Sequence, residues 1–309
     1  MKVLVAEPLE PFLRRTRYRP DIEVELLGEA AELPWGEHVA IVPLLTRRLG
    51  TGELDRLPRL RVIANFAVGY DNVDVAAAHE RGIAVTNTPG VLTEATAELT
   101  WALILAAVRR LPEGEALVRS GSWSGWGPTQ LLGMGLTGKV LGLMGAGRIA
   151  QAVARRAPAF GMRVAYWSRR RRDAWERESG ATWMTREELY AASDVLSLHL
   201  ALTPETRQMI GREALGRIKR GCVLVNTARG GLVDEDALVA ALESGRLRAA
   251  GLDVYAEEPS VPERLRALAN VVLLPHIASA TEEARQGMWD LAWSNVLAVL
   301  GGSAPLTAV

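Results

Sequence analysis

The sequence predicts an α/β protein built from two doubly wound, mostly parallel sheets. Short β-branched runs alternate with amphipathic segments along almost the whole chain, the pattern of strands buried between helices. The runs fall into two series with an Ala- and Leu-rich stretch between them. A length of 309 residues exceeds one average domain and suits two.

The first series places strands at Lys2 to Ala6, Ile22 to Leu27, Val39 to Pro43, Arg61 to Ala67 and Ile83 to Thr86. Thr93 to Arg110 then favours one long helix, ended by Pro112 and Gly114 and followed by a Gly/Trp/Pro-rich loop from Gly121 to Pro128. The second series runs Lys139 to Met144, Arg163 to Trp167, Asp194 to His199, Gly221 to Asn226, Ala250 to Val254 and Asn270 to Leu274. The last amphipathic segment, Glu282 to Leu300, comes after that series is complete. It is expected to return to the first domain, which would then comprise residues 1–95 and 281–309, with 96–280 as the second domain.

Composition narrows the function. Thirty-six basic residues balance thirty-six acidic ones, so no overall field favours nucleic acid or an anionic membrane. The one cysteine, Cys222, lies in an apolar run and excludes internal disulfides and thiolate metal clusters. No His/Asp/Glu cluster has metal-ligand spacing, and there is no G-x-S-x-G nucleophile elbow. The N-terminus reads as a strand without an apolar leader, and the longest apolar helical stretch, Leu99 to Val108, is well short of the roughly 20 residues of a membrane span. A cytoplasmic enzyme is the expectation.

After the strand Val140 to Leu143 comes Gly145-Ala146-Gly147-Arg148-Ile149-Ala150, then a helix from Gln151 to Arg156. Glycines between a strand and a helix let a pyrophosphate approach the amides at the helix N-terminus without a Cβ in the way. The third small position is Ala150, one methyl larger than the usual glycine. The next strand ends in Ser168-Arg169-Arg170-Arg171-Arg172, where an NAD site normally carries an acidic residue for the ribose 2′-hydroxyl. A hydroxyl followed by guanidiniums suits a 2′-phosphate, so NADP(H) is favoured, with NAD(H) as the second coenzyme.

Three ionisable residues sit at successive strand ends, the edge where open parallel sheets bind ligands. Arg229 lies in NTARGG, Glu258 in DVYAEEP and His276 in LPHIAS. An Arg binds a carboxylate bidentately beside a polarised carbonyl. A His donates a proton near neutral pH, and a carboxylate on its far nitrogen orients the ring. That set suits reduction of a 2-oxo acid. His199, also at a strand end, is a weaker candidate for the cofactor cleft. His38 and His79 lie in polar segments and are expected to be exposed.

These motifs resemble the D-isomer-specific 2-hydroxyacid dehydrogenases, and within them the glyoxylate/hydroxypyruvate reductases. The resemblance runs from about Arg61 to Ala284 through ANFAVGYDNVD, VTNTPGVLTEATAELT, GLMGAGRIAQAVARRA, VNTARGGLVDEDAL, AGLDVYAEEP and LLPHIASAT. It implies a Rossmann-type cofactor domain, a flavodoxin-like substrate domain and Arg229, Glu258 and His276 as the catalytic set. It also implies that the backbone of Val68 and Gly69 meets the substrate carboxylate, and that Asp253 holds the nicotinamide carboxamide with Thr96 nearby. Thr227, Ala228 and Ala278 join the glycine loop and Ser168 to Arg170 among the expected cofactor contacts. Ala278 stands where a glycine is common. The family's interdomain helix and loop build a two-fold homodimer, and Trp123 and Trp126 resemble a tryptophan pair whose second member reaches the partner's active site. Two other readings keep the scaffold: another D-2-hydroxyacid dehydrogenase acting on lactate, phosphoglycerate or phosphite, and a dinucleotide-sensing corepressor-like protein.

Overall fold

The first series of apolar runs forms a five-stranded parallel sheet: β1 (Lys2–Ala6), β2 (Glu23–Leu27), β3 (His38–Val42), β4 (Val62–Ala64) and β5 (Ala84–Thr86), in the order β2-β1-β3-β4-β5. The computed structural model describes residues 1–16, 19–29 and 31–309. Within them the chain divides into two compact units, Met1–Leu92 with Ser279–Val309, and Thr93–Ala278. In the first unit Leu4, Ile41, Ile63 and Val85 of neighbouring strands share one core. The helix Glu282–Leu300 packs on β3, β4 and β5, burying the Trp289 and Trp293 rings stacked 5.5 Å apart.

The second series forms a seven-stranded parallel sheet: β6 (Val140–Met144), β7 (Arg163–Trp167), β8 (Thr182–Trp183), β9 (Val195–Leu198), β10 (Cys222–Asn226), β11 (Leu247–Leu252) and β12 (Val271–Leu273). Its order is β12-β11-β10-β9-β6-β7-β8, so the direction of winding reverses between β6 and β9. Side chains alternate across the sheet. In β10, Cys222 and Leu224 enter the core on one face, Val223 and Val225 the core on the other. Burial on both faces is why this strand reads as an unbroken apolar run. It also pushes the Cys222 thiol up to about 12, leaving it a core residue with no thiolate chemistry.

Three local expectations need correction. The long helix spans Thr93–Arg109, but Pro112 and Gly114 do not end it. Arg110 does, in a left-handed conformation at φ 56°, and a second helix, Leu111–Arg119, begins at once. Pro112 sits in the first turn of that helix, where it has no amide hydrogen bond to lose. Secondly, β8 was not expected; two residues are too few to show a period. Thirdly, His38 is buried rather than exposed. It opens β3, and its Nε2 lies 2.9 Å from Glu25 Oε2, a polar partner that lets it enter the core. His79 is exposed.

Among the described residues no helix is long and apolar enough to cross a membrane, and no group of His, Cys, Asp or Glu side chains is placed to hold a metal ion.

Candidate active site

Arg229, Glu258 and His276 leave the C-terminal ends of β10, β11 and β12, which are neighbours in the sheet. Each is held by its own strand end. After β10, the buried Asn226 folds the turn back on itself: its Oδ1 accepts the Ala228 amide at 3.0 Å and its Nδ2 donates to the Arg229 carbonyl at 2.9 Å. Gly230 then packs against the next loop so closely that a Cβ there would lie 1.8 Å from the Tyr255 carbonyl carbon. Gly230→Ala is therefore expected to displace Arg229 from Glu258. It should cost about 1–3 kcal/mol in stability and roughly 10²-fold in turnover, measured by thermal denaturation and steady-state kinetics.

After β11, Asp253 is fully buried. Its two oxygens accept the amides of Ile277 and Ala278, each at 2.8 Å. Burial pushes its carboxyl above the ordinary value against the pull of those amides. Asp253 thus ties the end of β11 to the loop that carries His276, whose own backbone is left-handed at φ 55°. Tyr255 adds a second tie, its hydroxyl donating to the Leu274 carbonyl at 2.9 Å. Neither tie is legible in the sequence. Each depends on β11 and β12 being adjacent and in register, Leu252 beside Leu273.

The result is a close pair. His276 Nδ1 lies 2.6 Å from Glu258 Oε2, with about a quarter of each side chain exposed. The other carboxylate oxygen accepts the Tyr255 amide at 3.0 Å. Burial works to raise the Glu258 carboxyl, but the His276 hydrogen bond and charge, the Tyr255 amide and the Arg229 guanidinium outweigh it and leave the group below the usual carboxylate value. An ionised carboxylate only accepts, so Nδ1 carries a proton and Nε2 is left for a ligand. This is the arrangement of an oriented acid–base imidazole.

The glycine loop follows β6, at the reversal of winding, where open sheets bind nucleotides. Gly145 has φ 116°, and a Cβ on it would strike the His199 carbonyl oxygen at 2.5 Å. Gly147 caps the helix Arg148–Arg156, and a Cβ there would enter open space. Its first-turn amides have no intrahelical partner, so residues 145–149 fit a pyrophosphate. Ala150 is fully buried and its methyl is accommodated in the core. Nearby, the Thr227 and Thr100 hydroxyls lie 2.9 Å apart, and Thr100 donates to the carbonyl of the buried Thr96. Ser168 Oγ donates to the Arg170 carbonyl at 2.6 Å, while Arg169 and Arg170 are exposed.

His199 stands behind the glycine loop as a support. Its Nε2 lies 3.0 Å from Ser197 Oγ, and burial pushes the imidazole down to about 4 from 6.5. The unfolded chain then binds the extra proton, so stability is full above pH 6.5 and is lost as pH falls towards 4. The residue as a whole is partly exposed, so the loss is at most about 3 kcal/mol. In His199→Gln, the decline of melting temperature over this window is expected to flatten.

In the other unit, the loop after β4 carries Val68 and Gly69. Asn87 Nδ2 donates to the Val68 carbonyl at 2.8 Å and Asn65 Nδ2 to the Gly69 carbonyl at 2.9 Å. Among the described residues no backbone carbonyl accepts from the amides of Val68 or Gly69. The sequence does not single out either asparagine. Trp126 is 83% exposed and Trp123 53%.

Residues 101–278, more than half the chain, match the model of the D-isomer specific 2-hydroxyacid dehydrogenase NAD binding domain. The chain is 50% identical over 294 residues to a glyoxylate reductase of Thermococcus litoralis, covering 92% of this chain and 89% of that one. A glyoxylate reductase of Aeropyrum pernix is 49% identical, with 94% and 86% covered. The fold superposes with a TM-score of 0.91, at 37% identity, on an NADPH-dependent glyoxylate/hydroxypyruvate reductase of Sinorhizobium meliloti crystallised with NADP and malonate, covering 100% of this chain and 96% of that one. The strand-end set, the glycine loop and these likenesses agree: the chain belongs to the D-isomer specific 2-hydroxyacid dehydrogenase family.

Proposed function

We propose that the chain is an NAD(P)-dependent reductase of glyoxylate and hydroxypyruvate, forming glycolate and D-glycerate, with NADPH preferred over NADH. The observation that carries the reaction is the 2.6 Å contact between His276 Nδ1 and Glu258, beside Arg229 on the adjoining strand end. Arg229 binds the substrate carboxylate and polarises the neighbouring carbonyl. His276 Nε2 gives its proton to the carbonyl oxygen, and Glu258 keeps the ring oriented and stabilises its charge. Bound NAD(P)H supplies the hydride.

Residues 96–280 hold the coenzyme. Gly145, Ala146, Gly147, Arg148 and Ile149 receive the pyrophosphate, and Ser168, Arg169 and Arg170 the 2′-phosphate. Thr96, Thr227, Ala228 and Ala278 lie about the nicotinamide. Asp253, with an amide on each oxygen, reaches the carboxamide only through its remaining lone pairs. Residues 1–95 and 281–309 serve the substrate, and the amides of Val68 and Gly69 suit its carboxylate.

The chain acts as a homodimer in this reading. Leu111, Val118, Trp123, Trp126 and Leu132 are all more than half exposed within one short stretch, an apolar grouping that soluble proteins normally cover. The family resemblance gives Trp126 to the partner's active site. Sedimentation equilibrium is expected to give twice the chain mass.

The functional test follows NADPH oxidation with glyoxylate, hydroxypyruvate, pyruvate and phosphohydroxypyruvate. Turnover is expected to be highest with the first two. A protein that binds coenzyme but oxidises it with neither of them sinks the reading.

A further inference from the structure

The chain leaves β7 through Ser168 and four consecutive arginines, Arg169 to Arg172. Such a turn repels itself and would ordinarily be mobile. Here three side chains pin it. At its entry the Trp183 indole N–H donates to the Ser168 carbonyl at 3.3 Å. At its exit the Tyr166 hydroxyl accepts the Arg172 amide at 2.7 Å and donates to Glu176 Oε1 at 2.8 Å. In the middle, Glu176 takes Arg171 through Nε and Nη2 at 2.8 and 2.7 Å.

The Tyr166 anchor is not a surface contact. Tyr166 is fully buried, its ring edge-on to Trp175 at 4.8 Å, and the Glu176 side chain is only 13% exposed. Placing a phenol in the core, with a largely covered carboxylate beside it, beneath an exposed turn has a desolvation cost. That cost makes sense where the turn must be ordered before its ligand arrives, since pre-ordering lowers the penalty of binding.

We propose that Tyr166 and Trp183 are positioning residues for coenzyme selection. They hold the turn in one conformation in which Arg169 is exposed towards a ribose 2′-phosphate and Ser168 need only rotate its hydroxyl away from the Arg170 carbonyl to donate to it, while Glu176 keeps Arg171 as a structural clip and not as a phosphate ligand. The proposal rests on the reading of this turn as the 2′-phosphate site.

The test is calorimetric binding of adenosine 2′,5′-bisphosphate and adenosine 5′-monophosphate to the full chain, with no turnover involved. Wild type is expected to prefer the bisphosphate. Tyr166→Phe should lose about 10-fold of that preference, the value of roughly one hydrogen bond's worth of ordering, while affinity for the monophosphate changes less than about twofold. Trp183→Phe should move the ratio the same way and by less, and carries the test if Tyr166→Phe fails to fold. Equal loss of both ligands, or an unchanged ratio in both variants, overturns the proposal and leaves the phosphate site standing. A wild-type protein with no preference for the bisphosphate overturns the site itself, and the proposal with it.

Discussion

Replacing His276 with asparagine is expected to lower kcat about 10³-fold, within the range general acid catalysis supplies, while the KM for glyoxylate and the affinity for coenzyme stay close to wild type. Asparagine is the informative choice because residue 276 is left-handed at φ 55°, a conformation asparagine tolerates better than most residues. The two amides that Asp253 accepts, from Ile277 and Ala278, belong to the following residues and remain in place. The variant therefore removes the proposed proton donor and keeps the loop. Unchanged turnover would mean that some other group delivers the proton, and the 2.6 Å pair with Glu258 would need a different explanation.

The second large effect is expected at Ser168. Ser168→Asp should swing the ratio of kcat/KM for NADPH over NADH by on the order of 10²-fold towards NADH, because a carboxylate facing a 2′-phosphate is a like-charge contact. The carboxylate can also accept from a ribose 2′-hydroxyl. The steady-state ratio with glyoxylate as acceptor checks this. If the ratio does not move, the 2′-phosphate lies elsewhere and the exposed Arg169 and Arg170 are a solvated turn.

Much of this molecule is legible in its amino acids, for a reason specific to parallel sheets. Strands such as β10 are buried on both faces, so their apolar runs are continuous and bounded by polar turns, and the residue after each run marks the ligand edge. That is how Arg229, Glu258 and His276 stand out in the sequence. The features that escaped depend on partners distant in sequence. Arg110 gives no sign of its left-handed backbone, and Pro112 looks like a helix terminator because a proline inside a helix and one in its first turn are the same letter. His38 looks exposed until Glu25, thirteen residues away, is set beside it. The tie from Asp253 to the loop of His276 is invisible until the register of β11 on β12 brings the amides of Ile277 and Ala278 to it. Tyr166 and Trp183 give no sign in the sequence that their polar ends reach the turn.

The order of the strands also works as a ruler. The arginine-rich turn leaves β7 and the imidazole leaves β12, with β6, β9, β10 and β11 between them. At roughly 4.8 Å per strand the two ends stand roughly 24 Å apart along the rim. One nucleotide covers one end or the other. Two nucleotides joined through their phosphates can reach towards both, so the width of the sheet suits a dinucleotide before any side chain inspects its chemistry.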